Sequence, residues 1–305
     1  MTKDNPLISV IMPTYNRSTI AGNAAISVLQ QSYNNIELII VDDGSSDGTK
    51  DIIKALNDTR IKYIRHETNK GGSAARNTGI KSSKGDYLSF IDDDNIWMPE
   101  ILELQYKTFS NSSPDIGIVY VWQEVRSLEN NELLWKTQPT LKGNLKGQFL
   151  YGQGIGGMNF LTRRECLNKI GLFDENLKAC QDWDLLKRLS EHYSFDFIPK
   201  ELVVYYIHPE RISTNLESLI LGRTRMVEKY LDEFKLHPEV LTTHYKRIGK
   251  MHCINGTWKH GFEWFRKAIE VNMLSIFKII AWLAIDYPRL KLFSRDKYFK
   301  KYIID

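Results

Sequence analysis

Cysteine is scarce. The 305 residues hold three, Cys166, Cys180 and Cys253, widely spaced and with no CxxC pair or His/Cys cluster. A reduced, intracellular chain whose thiols serve as small packing residues is the simplest reading. Long apolar runs are missing too. None approaches the ~20 residues of a spanning helix. The start, MTKDNP, leads into a short apolar run without the long h-region of a signal peptide. These absences point to a cytoplasmic chain, peripheral at most on the inner face of the plasma membrane. Charge of one sign is also lacking. Forty-one Lys and Arg against 37 Asp and Glu leave +4, too mild to imply nucleic-acid binding, and no nucleic-acid partner is expected.

Several phosphate-binding signatures are absent as well. The first apolar run is followed by PTYNRS rather than GxGxxG, which disfavours a dinucleotide site, and no GxxxxGK[ST] occurs. The Gly-rich, Lys-bearing signature of sugar nucleotidylyltransferases is missing near the N-terminus. A haloacid-type phosphatase would carry its DxD after the first strand, whereas here the acids follow the fourth.

What is present is an ordinary globular composition, 42% hydrophobic and 26% charged, in a chain long enough for one domain plus an extension. LISVIM (7–12), IELIIV (36–41), IKYIRH (61–66) and DYLSFI (86–91) are apolar runs of strand length. Each of the first three leads through a polar turn into a helical pattern. Strands apolar along their whole length and alternating with helices predict a parallel sheet covered on both faces, with right-handed crossovers. Ligands bind such sheets beyond the carboxyl ends of the strands. That edge carries Pro13–Arg17, Asp42–Ser46 and Asp92–Asp94.

The stretch 126–160 is irregular, and its glycines suggest loops near a site. QDWDLLKRLSEH (181–192) has helical spacing, and VVYYIH (203–208) is strand-like. From about 216 the pattern is helical, predicting a first domain over 1–215 and a helical extension over 216–305. Residues 244–270 resemble a single helical hairpin of the tetratricopeptide kind, joined near Asn255–Gly256; one copy does not make an array.

SFIDDDNIWMPE (89–100) sets three carboxylates in a row behind an apolar run. In an extended segment Asp92 and Asp94 would share one side and Asp93 the other. Two same-side carboxylates can hold a hard divalent cation. Equally, the triplet can be an acidic turn before the helix that begins near Pro99. The residues alone leave both readings open.

Taken in order, SVIMPTYNR, IIVDDGSSDGT, NKGGSAARNTGI, GDYLSFIDDDNIWMPE, GLFDE and QDWDLLKRL resemble family 2 glycosyltransferases, over residues 7 to about 210. The resemblance implies an α/β GT-A fold, a Rossmann-like, mostly parallel sheet flanked by helices. It further implies an inverting, metal-dependent glycosyltransferase of bacterial surface polysaccharide synthesis, using Mn or Mg and a nucleotide-sugar donor, UDP-sugar favoured with GDP and dTDP open. Carried over, Pro13 and Tyr15 would line the base pocket with Arg17 beside them, and Asp43 would accept from the base. Arg76 would lie against the nucleotide, Asp92 and Asp93 would contact ribose and sugar diphosphate, and Asp94 would hold the metal. Plainer readings remain: Tyr15 as packing, Asp42 or Asp43 as a cap, Arg76 as a surface partner. Asp47 reads as a cap only.

Inversion needs a base for the acceptor hydroxyl. The family supplies it as the Asp of an "ED" pair, here Asp182, but Gln181 stands where Glu is usual. Asp184 reads as structural, paired with Lys187 or Arg188, and Trp183 as core. His208 is a candidate third metal ligand beside its plainer reading as a strand-end histidine. MLSIFKIIAWLAI (273–285) is 13 residues long and precedes a stretch, 286–305, with six Lys/Arg against three Asp. That pairing suits an anionic membrane surface and a polyprenyl-diphosphate-linked glycan acceptor. A last core helix with a solvated tail fits it too. A nucleotide-sugar-binding subunit without turnover is the alternative function, favoured only by Gln181.

Overall fold

The structure is a computed structural model that describes residues 5–152, 154–207 and 215–288. His208 and the basic stretch 289–305 lie outside the described residues. The chain divides into two compact units, Met1–Pro209 and Glu210–Asp305.

The first unit runs β1 (Ile8–Thr14), α1 (Ala21–Leu29), β2 (Ile36–Asp42), α2 (Thr49–Ala55), β3 (Ile61–Arg65), α3 (Gly72–Ser82) and β4 (Tyr87–Phe90). It continues through β5 (Asn95–Trp97), α4 (Ile101–Ser110), β6 (Ile116–Ser127), β7 (Leu133–Thr137), a 3-10 turn (Gln148–Tyr151) and β8 (Phe160–Arg163). It closes with α5 (Arg164–Ile170), α6 (Gln181–Ser190) and β9 (Ser194–Ile207). The strands form one sheet in the order β3-β2-β1-β4-β8-β6-β9-β5, with β7 on β6.

Strands β3, β2, β1 and β4 are parallel, as their unbroken apolar runs require. Each is covered on both faces. Val10, Met12, Leu38 and Ile40 pack with Ala24, Val28 and Leu102 on one side. Ile11, Ile39 and Val41 pack with Ala75, Ile80, Leu185 and Leu189 on the other. The period of two along β1 and β2 thus feeds two cores at once.

Beyond β4 the sheet is mixed. β8 is antiparallel to both β4 and β6, β5 is antiparallel to β9, and β6 and β9 pair in parallel. The link from β7 to β8 holds a 3-10 turn instead of a crossover helix, so β8 enters the sheet by reversal.

The second unit comprises α7 (Leu216–Lys229), α8 (Leu231–Lys235), α9 (Pro238–Ile254), α10 (Trp258–Val271) and α11 (Ser275–Ala281), with a π-helical turn at Trp282–Asp286. α9 and α10 form the expected hairpin, turning at Gly256 with φ +83°. Their backbones cross closely: a Cβ on Gly249 would lie 2.5 Å from the Phe265 ring and 3.0 Å from the Gly261 carbonyl. Cys253, Phe265, Ala268, Ile279 and Trp282 make its core. Among the described residues no helix is long and apolar enough to cross a membrane.

The tightest helix-on-sheet contact lies between α3 and β1, where a Cβ on Gly79 would stand 2.5 Å from Ile11 Cγ2. Ile11 is fully buried and stiff at χ1, so it cannot yield. Gly79→Val is expected to destabilise the protein by about 1–3 kcal/mol of overpacking, read as a lower urea midpoint at unchanged m value.

Candidate active site

The loops after β1 and β2 are laced together. Asn16, at φ 52°, donates its N–H to Ser45 Oγ at 2.8 Å and accepts from the Ser46 N–H at 2.8 Å. The Arg17 N–H donates to Thr49 Oγ1 at 3.0 Å, and the Ser18 N–H to Asp47 Oδ2 at 3.0 Å. Asp47 also accepts from the Thr49 N–H at the start of α2, although the N-cap position itself is Gly48. Pro13, next to last in β1, is half-buried, and Tyr15 projects with 45% of its surface exposed.

The next two acids hold walls. Asp42 accepts from the Ser45 N–H at 2.7 Å and from the Tyr63 hydroxyl. Asp43 is buried, and its oxygens accept from the Lys70 N–H (3.0 and 3.1 Å) and the Gly71 N–H (2.7 Å), with His66 Nδ1 at 2.6 Å. His66 Nε2 lies 2.9 Å from Thr78 Oγ1, so the ring ties β2 to α3. With its acceptor positions filled, Asp43 anchors the 66–72 loop. Contact with a base edge would require one of those donors to give way.

The acid triplet is not extended. Strand β4 stops at Phe90, and the Asn95 N–H donates to the Asp92 carbonyl at 3.1 Å, closing a turn on Asp93 and Asp94. The expected alternation of 92 and 94 against 93 is therefore corrected: a turn has no period of two. The side chains find separate partners. Asp92 Oδ1 accepts from Arg76 Nη2 at 2.6 Å. Asp93 Oδ1 lies 3.8 Å from Arg17 Nε. Burial, then the neighbouring Asp94, pushes the Asp93 carboxyl up to about 7, against the Thr14 hydroxyl and Arg17, which pull it down.

Asp182 arrives at the same edge on the first turn of α6. The residue before that helix, Cys180, takes the left-handed conformation at φ 63°, uncommon for a residue with a Cβ and costing of order 1–3 kcal/mol. The segment is held to α3 by side chains. Asn77 donates to the Phe173 carbonyl at 2.9 Å and accepts from the Phe173 N–H at 2.9 Å. Arg76 Nη1 donates to Gln181 Oε1 at 2.7 Å, and its guanidinium carbon lies 5.7 Å from the centre of the Phe173 ring. Gln181 Nε2 donates in turn to the Leu177 carbonyl at 3.1 Å. An amide satisfies both contacts, whereas a glutamate would supply only the acceptor. Burial raises the half-buried Asp182 carboxyl above its ordinary range. The Trp183 N–H opposes that shift, Asp92 adds to it, and Arg76 also opposes it. Asp184 pairs with Arg188 at 2.9 Å, and Trp183 Nε1 donates to the Phe149 carbonyl at 2.5 Å, both structural as expected.

The structure thus gathers Pro13, Tyr15, Arg17, Asp92, Asp93, Asp94, Arg76 and Asp182 at the ends of β1 and β4 and the starts of α3 and α6, with Asp43 behind them. His208 lies outside the described residues. Sequence reasoning missed His66, whose place directly after an apolar strand was the available signal, and Asn77, which gave none.

The donor set at the turn fits a hard divalent cation, since Asp92, Asp93 and Asp94 offer carboxylate oxygens only. Among the described residues no group of three or more His, Cys, Asp or Glu side chains is placed to hold a metal ion by itself. Magnesium-type ions are commonly held by one or two carboxylates together with substrate phosphates.

This is the GT-A fold of glycosyltransferases. Staphylococcus aureus TarS (residues 1–349, in complex with UDP) superposes with a TM-score of 0.58 at 18% identity, covering 88% of this chain and 91% of that one. The mannosyltransferase PcManGT of Pyrobaculum calidifontis, in complex with GDP-Man and Mn2+, gives 0.59 at 18%, covering 98% and 85%. The chain belongs to glycosyl transferase family 2, whose domain matches residues 9–171. It is 34% identical over 248 residues to the "Putative colanic acid biosynthesis glycosyl transferase WcaA" of Escherichia coli K12, covering 76% of this chain and 84% of that protein. It is also 33% identical over 165 residues to Escherichia coli WfgD, a UDP-Glc:alpha-D-GlcNAc-diphosphoundecaprenol beta-1,3-glucosyltransferase, covering 54% and 63%.

Asp43→Ala strips the acceptor from two backbone N–H groups and a buried imidazole. The expected loss is about 1–3 kcal/mol for each buried donor left unpaired, together with faster amide exchange at Lys70 and Gly71.

Proposed function

We propose that the protein moves a sugar, with inversion, from a nucleoside diphosphate sugar to a hydroxyl of a polyprenyl-diphosphate-linked glycan in bacterial surface polysaccharide synthesis. The observation that carries this reading is Asp182, a carboxylate at a helix start whose burial and proximity to Asp92 raise its proton affinity toward that of a working base. Asp182 takes the proton of the acceptor hydroxyl while that oxygen bonds to the anomeric carbon. The bond from that carbon to the diphosphate oxygen breaks on the opposite face, and the nucleoside diphosphate leaves with the electron pair.

The remaining residues bind and orient. Tyr15, exposed beside Pro13, offers an aromatic face to the base. Arg17 and Arg76 set positive charge beside Asp93 and Asp92, where the ribose and diphosphate would lie. Asp94 would hold the divalent cation, with His208 as a further candidate ligand. The cation they would hold supplies charge neutralisation for the leaving diphosphate. Asp43 acts through the 66–72 loop.

WfgD supports a UDP-sugar donor and a lipid diphosphate acceptor, while the GDP-Man complex of PcManGT keeps GDP open and supports manganese. Against a binding subunit without turnover, the Gln181 amide keeps the contact to Arg76 that a glutamate would make.

Asp182→Asn is expected to lower transfer by about 10²–10⁴-fold, the usual worth of a positioned base, while isothermal titration with donor stays within a few-fold of wild type. A raised carboxyl pKa means that the basic form appears only at higher pH. The acid limb of kcat/KM should therefore lie above the ordinary carboxylate range, with activity falling as pH drops through it. A limb at the ordinary position, or turnover surviving in the variant, would remove Asp182 from the role.

Asp94→Ala should abolish the dependence of nucleotide binding on Mn. The check is donor affinity with and without chelator: wild type should lose affinity on chelation and the variant should not change.

A further inference from the structure

We propose that α11 and the π-helical turn after it form a docking face for the surface of an anionic phospholipid bilayer. Across 273–285 the stripe turned into the second unit is narrow: Ser275, Ile279 and Trp282, spaced by four and three residues. The opposite side carries Met273 (77% exposed), Leu274 (71%), Phe277 (69%), Ile280 and Ile285. So many large apolar side chains exposed on one short helix mark a contact surface, and the segment's core face is already filled.

The charge around this face selects the partner. Lys278 is exposed on α11 itself and acts on Lys246 of α9. Lys250 lies one turn further along α9, with its Nζ 5.5 Å from the centre of the Trp282 ring, and Lys246 and Arg247 repel it. Asp286 acts on Lys250 in the opposite sense. These four cations lie on α9 and α11, with Lys278 on the exposed side of α11, and the sequence continues with Arg289, Lys291, Arg295 and Lys297. A second copy of the chain docked by a two-fold contact would bring the same four cations against these, a like-charge cost. An anionic lipid surface instead meets apolar side chains with its interface and cations with its headgroups. The inference stands apart from the transfer reading, because its residues belong to the second unit and those assigned to chemistry to the first.

The test is cosedimentation of the full chain with vesicles of phosphatidylcholine plus phosphatidylglycerol, and with phosphatidylcholine alone. Wild type should partition onto the anionic vesicles only. Phe277→Asp with Ile280→Asp should lower that partition by at least about tenfold. Lys246→Gln with Lys278→Gln should lower it by roughly fivefold per lysine, both pairs leaving donor hydrolysis in lipid-free solution at the wild-type rate. Equal binding to both vesicle types, or wild-type partition by both variants, overturns the proposal. So does a wild-type dimer in lipid-free light scattering that the Phe277/Ile280 variant converts to monomer, which would assign the face to a second copy.

Discussion

Arg76 joins parts of the protein that the chain order keeps apart. Its guanidinium spans Asp92, 16 residues on, and Gln181, 105 residues on, and rests against the Phe173 ring. Without that cation the edge of the sheet would hold Asp92, Asp93, Asp94 and Asp182 with Arg17 beside Asp93. A planar fork suits the task better than an ammonium, since two of its nitrogens serve different acceptors at once. The same contact aligns α6 with the strand ends and so sets where Asp182 stands.

The order of legibility in the sequence follows the range of the interactions. β1 to β4 were readable because burial on both faces makes each strand apolar without reference to its neighbour. β6 and β8 were not, and β9 only in its last residues, because their pairing is a matter of register between segments such as Ile118 with Thr162 and Tyr120 with Phe197.

At the site, residue types were readable and their geometry was not. The triplet 92–94 is acidic on any reading, yet one hydrogen bond from Asn95 turns a supposed alternation into a bend. Asp43 could be picked out by motif, while its saturation by His66, Lys70 and Gly71 depends on a loop more than 20 residues away. Gln181 looked like a loss relative to a glutamate. Its surroundings contain both a donor, Arg76, and an acceptor, the Leu177 carbonyl, which no pattern of neighbours in sequence reveals.

The lacing of the loops after β1, β2 and β3 has a thermodynamic consequence for whatever enters the site. Asn16, Ser45, Asp47, Thr49, Asp43 and His66 fix these walls through hydrogen bonds already formed in the folded chain. The conformational entropy of ordering them is lost during folding, so a ligand arriving there meets walls that need no closure. Its binding free energy then reports direct contacts and displaced water, and differences between ligands at that wall can be read as differences in chemical fit.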